Sequence, residues 1–168
     1  MADAYQYAIR LLAGQDYSVF KLAQKLRQKG FADEDIQDAI NEVERKGYLR
    51  PQAYLRHRVL ALARKGEAAN LILRQLEFEH LSPNLREIEA IMAEEGLSAE
   101  TQILYLLQKK LGRKIDTTDS TDPDILSPAA AQKVIAFVLR KGHHLEQCRQ
   151  VLRQYLAAAV PEEEPPLA

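Results

Sequence analysis

Leu22-x-x-x-Leu26-x-x-Lys29-Gly30-Phe31, with Ile36, Ala39, Ile40 and Val43 after it, occurs a second time near the other end of the chain. A shift of 112 positions brings Val134, Val138, Lys141, Gly142, Cys148, Val151, Leu152 and Tyr155 onto the same slots, with His143 in that of Phe31. Apolar residues three and four apart form one face of a helix. A glycine at the end of such a run supplies the left-handed residue that closes it. The pattern therefore reads as helix, tight glycine turn, helix, used at least twice. Repeated helical units bury their apolar faces on their neighbours and leave long side surfaces open, so such chains work more often by binding than by catalysis.

Outward from these two copies, nine helices in three groups are predicted. The first, about Ala4 to Ala13, sets Tyr5, Ala8, Ile9 and Leu12 on one face. Ser18 caps the second, which stops at Gly30, and Asp33 to Lys46 form the third, acidic at its start and basic at its end, as the helix dipole favours. The middle group opens at Pro51, in a helix ending at Gly66. It continues from Ala68 to Glu79, and again from a Ser82-Pro83 start to Gly96. Gly47-Tyr48 recurs 49 residues later as Gly96-Leu97, which makes the middle group a degraded copy with His80-Leu81 where Gly30-Phe31 stood. In the third group, Ser98 caps a helix that Gly112 ends, Ser127-Pro128 starts the next, and Leu145 to Ala159 form the last. The expected fold class is all-α: three tandem three-helix repeats forming an elongated, curved helical stack. Repeat 1 covers 1–50, repeat 2 covers 51–97, and repeat 3 covers 98–159 with an acidic loop at 116–124. Residues 160–168 are expected to be a disordered tail.

Composition fits that expectation. With 28% charged residues, no Trp and few Gly and Pro, the 168-residue chain has the make-up of a soluble helical protein. No apolar run approaches the roughly 20 residues of a membrane helix, and no secretory signal is visible, so a cytoplasmic location is expected. A single cysteine, Cys148, excludes an internal disulfide and a Cys-rich zinc site. The net charge of −1 conceals segregation. Seven basic residues and no acidic one lie between Arg45 and Lys65, whereas seven acidic residues and one basic lie between Glu77 and Glu100.

No residue set announces catalysis. His57, His80, His143 and His144 stand at no metal-ligand spacing, and the His143-His144 pair after Gly142 reads as a solvated turn. Cys148 falls on an apolar position and reads as a small buried hydrophobe. There is no phosphate-binding glycine loop and no set of nucleophile, base and oxyanion donors. The expectation is a protein that is not an enzyme and needs no cofactor or metal. One constellation points to binding. On the helix after Arg50, His57 and Arg64 follow Arg50 at seven-residue steps, Arg58 and Lys65 flank them, and Tyr54 lies between. Leu55, Val59 and Leu62 occupy the opposite face. Solvated helix faces usually mix signs through pairs four apart, and this stripe lacks the counter-charge. Lys109, Lys110, Arg113 and Lys114 form a smaller basic set that helix-dipole complementarity alone could explain.

The residues resemble a known family. Arg10 to Ser18, ending Asp16-Tyr17-Ser18, then Leu22-x-x-Lys25-Leu26-x-x-Lys29-Gly30-Phe31, Asp35-Ile36 and Lys46-Gly47-Tyr48-Leu49, look like the first repeat of the RecX family, regulators of the bacterial recombinase RecA. The segment from Ile72 through Arg74 to Leu76 is similar to the second repeat, and Lys109 to Gly112 with Lys133 to Gly142 to the third. The resemblance covers about Ala8 to Leu156. It implies three tandem three-helix repeats and binding in the helical groove of the RecA filament on single-stranded DNA; the protein itself is expected to be a monomer. Such binding would inhibit ATP hydrolysis, strand exchange and the co-protease activity behind the SOS response. Some members also bind single- or double-stranded DNA directly. The chain departs from the family pattern in the middle repeat: Arg50-Pro51 replace acidic residues, Gly66 to Asn70 replace G-Y-G-P, and Glu79-His80-Leu81 replace K-G-I. The expected partner-binding residues are Arg50, Tyr54, His57, Arg58, Arg64 and Lys65, with Arg74, Lys109, Lys110, Arg113 and Lys114 secondary.

Two other readings compete. Helices two and three around Gly30 could form a DNA-binding helix-turn-helix, although the second begins Asp33-Glu34-Asp35, which a phosphate backbone repels. The chain could also be a helical-repeat scaffold for another protein.

Overall fold

A computed structural model describes residues 3–115 and 127–159. The side chains of 112–115 and 159 are not among those described, and the acidic segment 116–124 and the tail 160–168 lie outside the described residues. Among the described residues every regular element is an α-helix: α1 Ala4–Leu12, α2 Val19–Lys29, α3 Asp33–Arg45, α4 Pro51–Ala63, α5 Ala69–Phe78, α6 Leu85–Glu94, α7 Ala99–Ile115, α8 Pro128–Arg140 and α9 Leu145–Ala159.

Local chemistry sets most helix ends. Asp3 caps α1 by accepting from the Tyr5 amide, and Ser18 caps α2 by accepting from that of Lys21. Ser127 caps α8 from the Ala130 amide, with Pro128 in the first turn. Each such cap is worth about 1 kcal/mol, because it satisfies an amide the helix leaves without a partner. Two predicted ends move. The cap of α6 is Asn84 rather than Ser82: its side chain accepts from the Glu87 amide at 2.9 Å, and Pro83 is buried ahead of it. Asn84 with Glu87 three residues on has the spacing of a capping box. Gly112 does not end α7, which continues to Ile115. One glycine inside a helix costs only about 1 kcal/mol, and Leu111 just before it is 2% exposed, anchored in the core.

The degraded middle copy has kept its turn. His80 takes the left-handed backbone conformation of Gly30, at φ +59° against +95°. In both places the next amide reaches back five residues, Phe31 to the Leu26 carbonyl and Leu81 to that of Leu76. Left-handed backbone is uncommon for a residue with a Cβ. Here the His80 ring stacks on Phe20, with centroids 3.8 Å apart.

The contacts divide the chain into two compact units, Met1–Leu60 with Gln75–Pro83, and Ala61–Arg74 with Asn84–Ala168. In the first, α1, α2 and α3 pack pairwise. Their core is Ala4, Ala8, Leu22, Leu26, Ile36, Ala39, Ile40, Val43 and Leu49, closed at its edge by Tyr7 and Phe31. In the second, α7, α8 and α9 pack pairwise around Ile103, Leu106, Leu107, Leu111, Val134, Val138, Cys148, Val151 and Leu152. The slots matched by the 112-residue shift are thus core in both: Leu22 and Val134, Leu26 and Val138, Ile40 and Leu152. Cys148 is 1% exposed, the buried hydrophobe expected of it, and burial pushes its thiol pKa up.

His143 overturns its expectation. It is 5% exposed rather than solvated, and its Nε2 donates to the Gly66 carbonyl at 2.9 Å. The turn it follows sits against a neighbour: a Cβ on Gly142 would lie 2.9 Å from Leu71 Cβ. The Ala68 amide also donates to the Lys141 carbonyl at 2.8 Å. Contacts made across some 75 positions cannot be read from the turn itself.

Candidate partner-binding surface

The basic helix α4 carries its apolar residues as expected: Leu55, Val59 and Leu62 are buried, and so are Leu60 and Ala63. Its polar side faces a cleft of about 290 Å³ within the first unit. Arg50, Tyr54 and His57 line it together with Arg56, Ala53, Leu60 and Asp16, the last from the α1–α2 loop. Three of the expected binding residues therefore converge on one concavity. Arg56, which the seven-residue register left out, joins them because it stands three residues after Ala53 and four before Leu60, on the same side of the helix. Asp16 is the sole acid on the wall. Arg50 and His57 are exposed and Tyr54 half-buried, so a planar group could lie against the phenol ring while the cations meet negative charge.

The missing counter-charge of the stripe is present after all for two members, supplied from far along the chain. Arg58 Nε donates to both carboxylate oxygens of Glu79, at 2.9 and 3.1 Å, with Lys21 Nζ 3.7 Å from the same carboxylate. The Arg58 hydrogen bonds hold the Glu79 carboxyl below the usual carboxylate range, against the opposing pull of burial. In the second unit Arg64 donates to Glu95 at 3.3 Å. The partners stand 21 and 31 positions away, where no spacing of three or four would reveal them. Arg58 thus fastens α4 to the end of α5.

Of the rest, Lys65 is exposed in the turn after α4, and Arg74 is exposed on α5. Lys109 and Lys110 are exposed on α7, each over an aromatic ring: Lys109 over Tyr105 at 5.6 Å and Lys110 over Phe137 at 4.5 Å. The side chains of Arg113 and Lys114 lie outside those described. An exposed aromatic residue that helical spacing did not single out stands in the first unit. Phe78, the last residue of α5, is 89% exposed, and Phe20 of α2 is 41% exposed beneath His80. Exposed aromatic side chains are characteristic of protein interfaces. Among the described residues no group of three or more His, Cys, Asp or Glu side chains is placed to hold a metal ion, and no helix is long and apolar enough to cross a membrane.

Among the described residues, fold and surface together define an all-α protein with three-helix bundles and a basic cleft beside α4. Residues 4–42 match the model of the first three-helix domain of RecX. The chain is 28% identical to the regulatory protein RecX of Trichlorobacter lovleyi over 91% of its own length and 96% of the relative's. It is 27% identical to that of Legionella pneumophila over 92% and 95%, and 25% identical to that of Vibrio vulnificus over 90% and 92%. The likeness to these regulatory proteins thus runs over nine-tenths of the chain.

Proposed function

We propose that the chain is a non-enzymatic regulator of RecA, docking the α4 cleft into the groove of the RecA filament on single-stranded DNA and limiting ATP hydrolysis, strand exchange and the SOS co-protease activity. It acts as a monomer built of three tandem repeats, in the cytoplasm where that filament forms. The observation that supports this best is the convergence of Arg50, Arg56, His57 and Tyr54 on one cleft, in a chain similar to regulatory RecX proteins over nine-tenths of its length. Such a surface suits an acidic groove or a phosphate path. Phe78 adds an apolar contact that a purely electrostatic surface would lack.

The test is ATP hydrolysis by RecA on single-stranded DNA. The protein should inhibit it at micromolar excess, and no inhibition sinks the reading. Because Arg58 and Arg64 hold Glu79 and Glu95, the variant that separates binding from folding is Arg50→Ala with His57→Ala and Lys65→Ala. It should keep its helical content and melting temperature and inhibit at least about tenfold less well, since each lost charged contact at an interface commonly costs about 1 kcal/mol or more. The helix-turn-helix alternative is disfavoured: Asp33, Glu34 and Asp35 are exposed at the start of α3, and Arg27 is bonded to Asp33 at 2.8 Å.

A further inference from the structure

A second cleft, of about 360 Å³, lies in the second unit and has the opposite chemistry. Its walls are Ala68, Ala69, Met92, Ala93, Leu97 and Ala99, with backbone of Gly96 and Ser98. Among the described residues only Glu89, Gln102 and Ser98 bring polar side chains to it, and no basic residue lines it.

Gln102 is 3% exposed, and its amide orientation is set. Nε2 donates to the Ala63 carbonyl at 2.8 Å and to the Glu67 carbonyl at 3.1 Å. Reversing the amide would press its oxygen against two carbonyl oxygens, so Oε1 is held on the other side. There it is buried with no hydrogen-bond partner among the described residues. A buried acceptor without a donor is costly to maintain unless something uses it. Glu89 on α6 is exposed and makes no ion pair among the described residues. The amide of Thr101 at the start of α7, which could have drawn an anion, is taken by Ser98 Oγ at 3.1 Å. The site thus offers the Glu89 carboxylate and an aliphatic wall, and asks for a cation on an aliphatic stem.

We propose that this cleft receives a Lys or Arg side chain from a partner protein, its methylenes against Met92, Leu97 and the alanines and its cation at Glu89. Charge decides between occupants. Residues 116–126 and 160–168 contain no Lys or Arg, so neither segment supplies the cation. The proposal does not rest on the RecA reading, and its test contains no RecA.

The test is a methyl NMR titration of the full chain with n-butylguanidinium, n-butanol and butyrate, and with a capped Gly-Gly-Arg-Gly-Gly peptide. The cation should give saturable shifts at the Met92 and Leu97 methyls in roughly the millimolar range, as befits so small a ligand. Butanol should bind about tenfold more weakly and butyrate not at all, and the peptide should bind at least as well as n-butylguanidinium. Glu89→Gln, an exposed change that leaves the apolar wall intact, should weaken the cation about three- to tenfold while leaving butanol unaffected. Ala93→Leu should abolish all binding by filling the cleft. Absence of saturable shifts, equal binding of butanol and cation, or indifference to Glu89→Gln overturns the proposal. A peptide that fails where n-butylguanidinium binds overturns the partner-protein source.

Discussion

His143 shows what burial does to one residue. Its ring sits between the Gly142 turn and the Gly66 carbonyl, and donation from Nε2 leaves Nδ1 as a buried acceptor without a partner. Protonating Nδ1 would place a charge where water cannot reach it, so desolvation lowers the pKa below the ordinary histidine value. The consequence for stability has a definite sign. Above about pH 6.5 the ring is neutral in both states and the fold is unaffected. As the pH falls below that value the unfolded chain takes up a proton that the folded chain refuses, and stability declines until the lowered folded-state pKa is passed. Urea midpoints measured between pH 8 and pH 5 should fall, and the fall should shrink in His143→Gln, which keeps a donor for Gly66. An unchanged profile would contradict the buried neutral ring. Nothing in Lys141-Gly142-His143-His144 distinguishes it from an exposed turn. The residues that bury His143 lie some 75 positions earlier.

At the scale of the helix and its turn, the chain uses left-handed residues for two different purposes. Gly30 has φ +95° and open space where a Cβ would stand. Gly66 has φ +80°, and a Cβ there would come within 2.6 Å of the Leu106 side chain. Gly30→Ala should therefore cost only the left-handed conformation, roughly 1 to 2 kcal/mol. Gly66→Ala adds overpacking against a core leucine and should cost roughly 2 to 5 kcal/mol. Chemical denaturation of the two variants checks the ranking, and equal losses would contradict it. His80 is a third case. His80→Ala keeps the strained backbone and loses the stack on Phe20, so it should destabilise by about 0.5 to 1.5 kcal/mol. His80→Gly gives up the same stack but relieves the backbone, and should lie within about 1 kcal/mol of the parent protein. Helix existence and most caps were legible here because a cap is a contact between neighbours two or three residues apart. The end of α7 was not legible, because burial of Leu111 outweighs a propensity penalty of the size Gly112 imposes.

For the molecule as a whole, the sign pattern matters more than the sum. A chain of net charge −1 places Arg50, Arg56 and His57 in one cleft and Glu89 at another. Contacts between exposed charges weaken as salt shortens the screening length. The proposed inhibition of RecA should therefore decline between roughly 50 mM and 300 mM salt, with the loss mainly in the rate of onset. Stopped-flow mixing with preformed filaments measures this, and a salt-independent onset would shift the weight from the cleft to apolar contacts such as Phe78. Three of the seven residues lining the candidate cleft were legible. Arg50, Tyr54 and His57 share a helix, and periodicity alone sets them on one side. Asp16 was not, because it comes from another element, and the engagement of Arg58 and Arg64 was not, because their carboxylates come from the ends of α5 and α6.

The amino-acid order by itself determined the nine helices of the described residues, most of their caps, the apolar slots that became core, and the likeness to the RecX family. Those features rest on interactions within a few residues or on a repeated pattern. Only the tertiary structure decided which charges are engaged, that His143 is buried, that His80 does a glycine's work, and that Gln102 holds an unused acceptor beside an aliphatic cleft. Each of these depends on groups brought together from distant positions, and the free energy of burying a polar group is set by what surrounds it in space rather than by what precedes it in the chain.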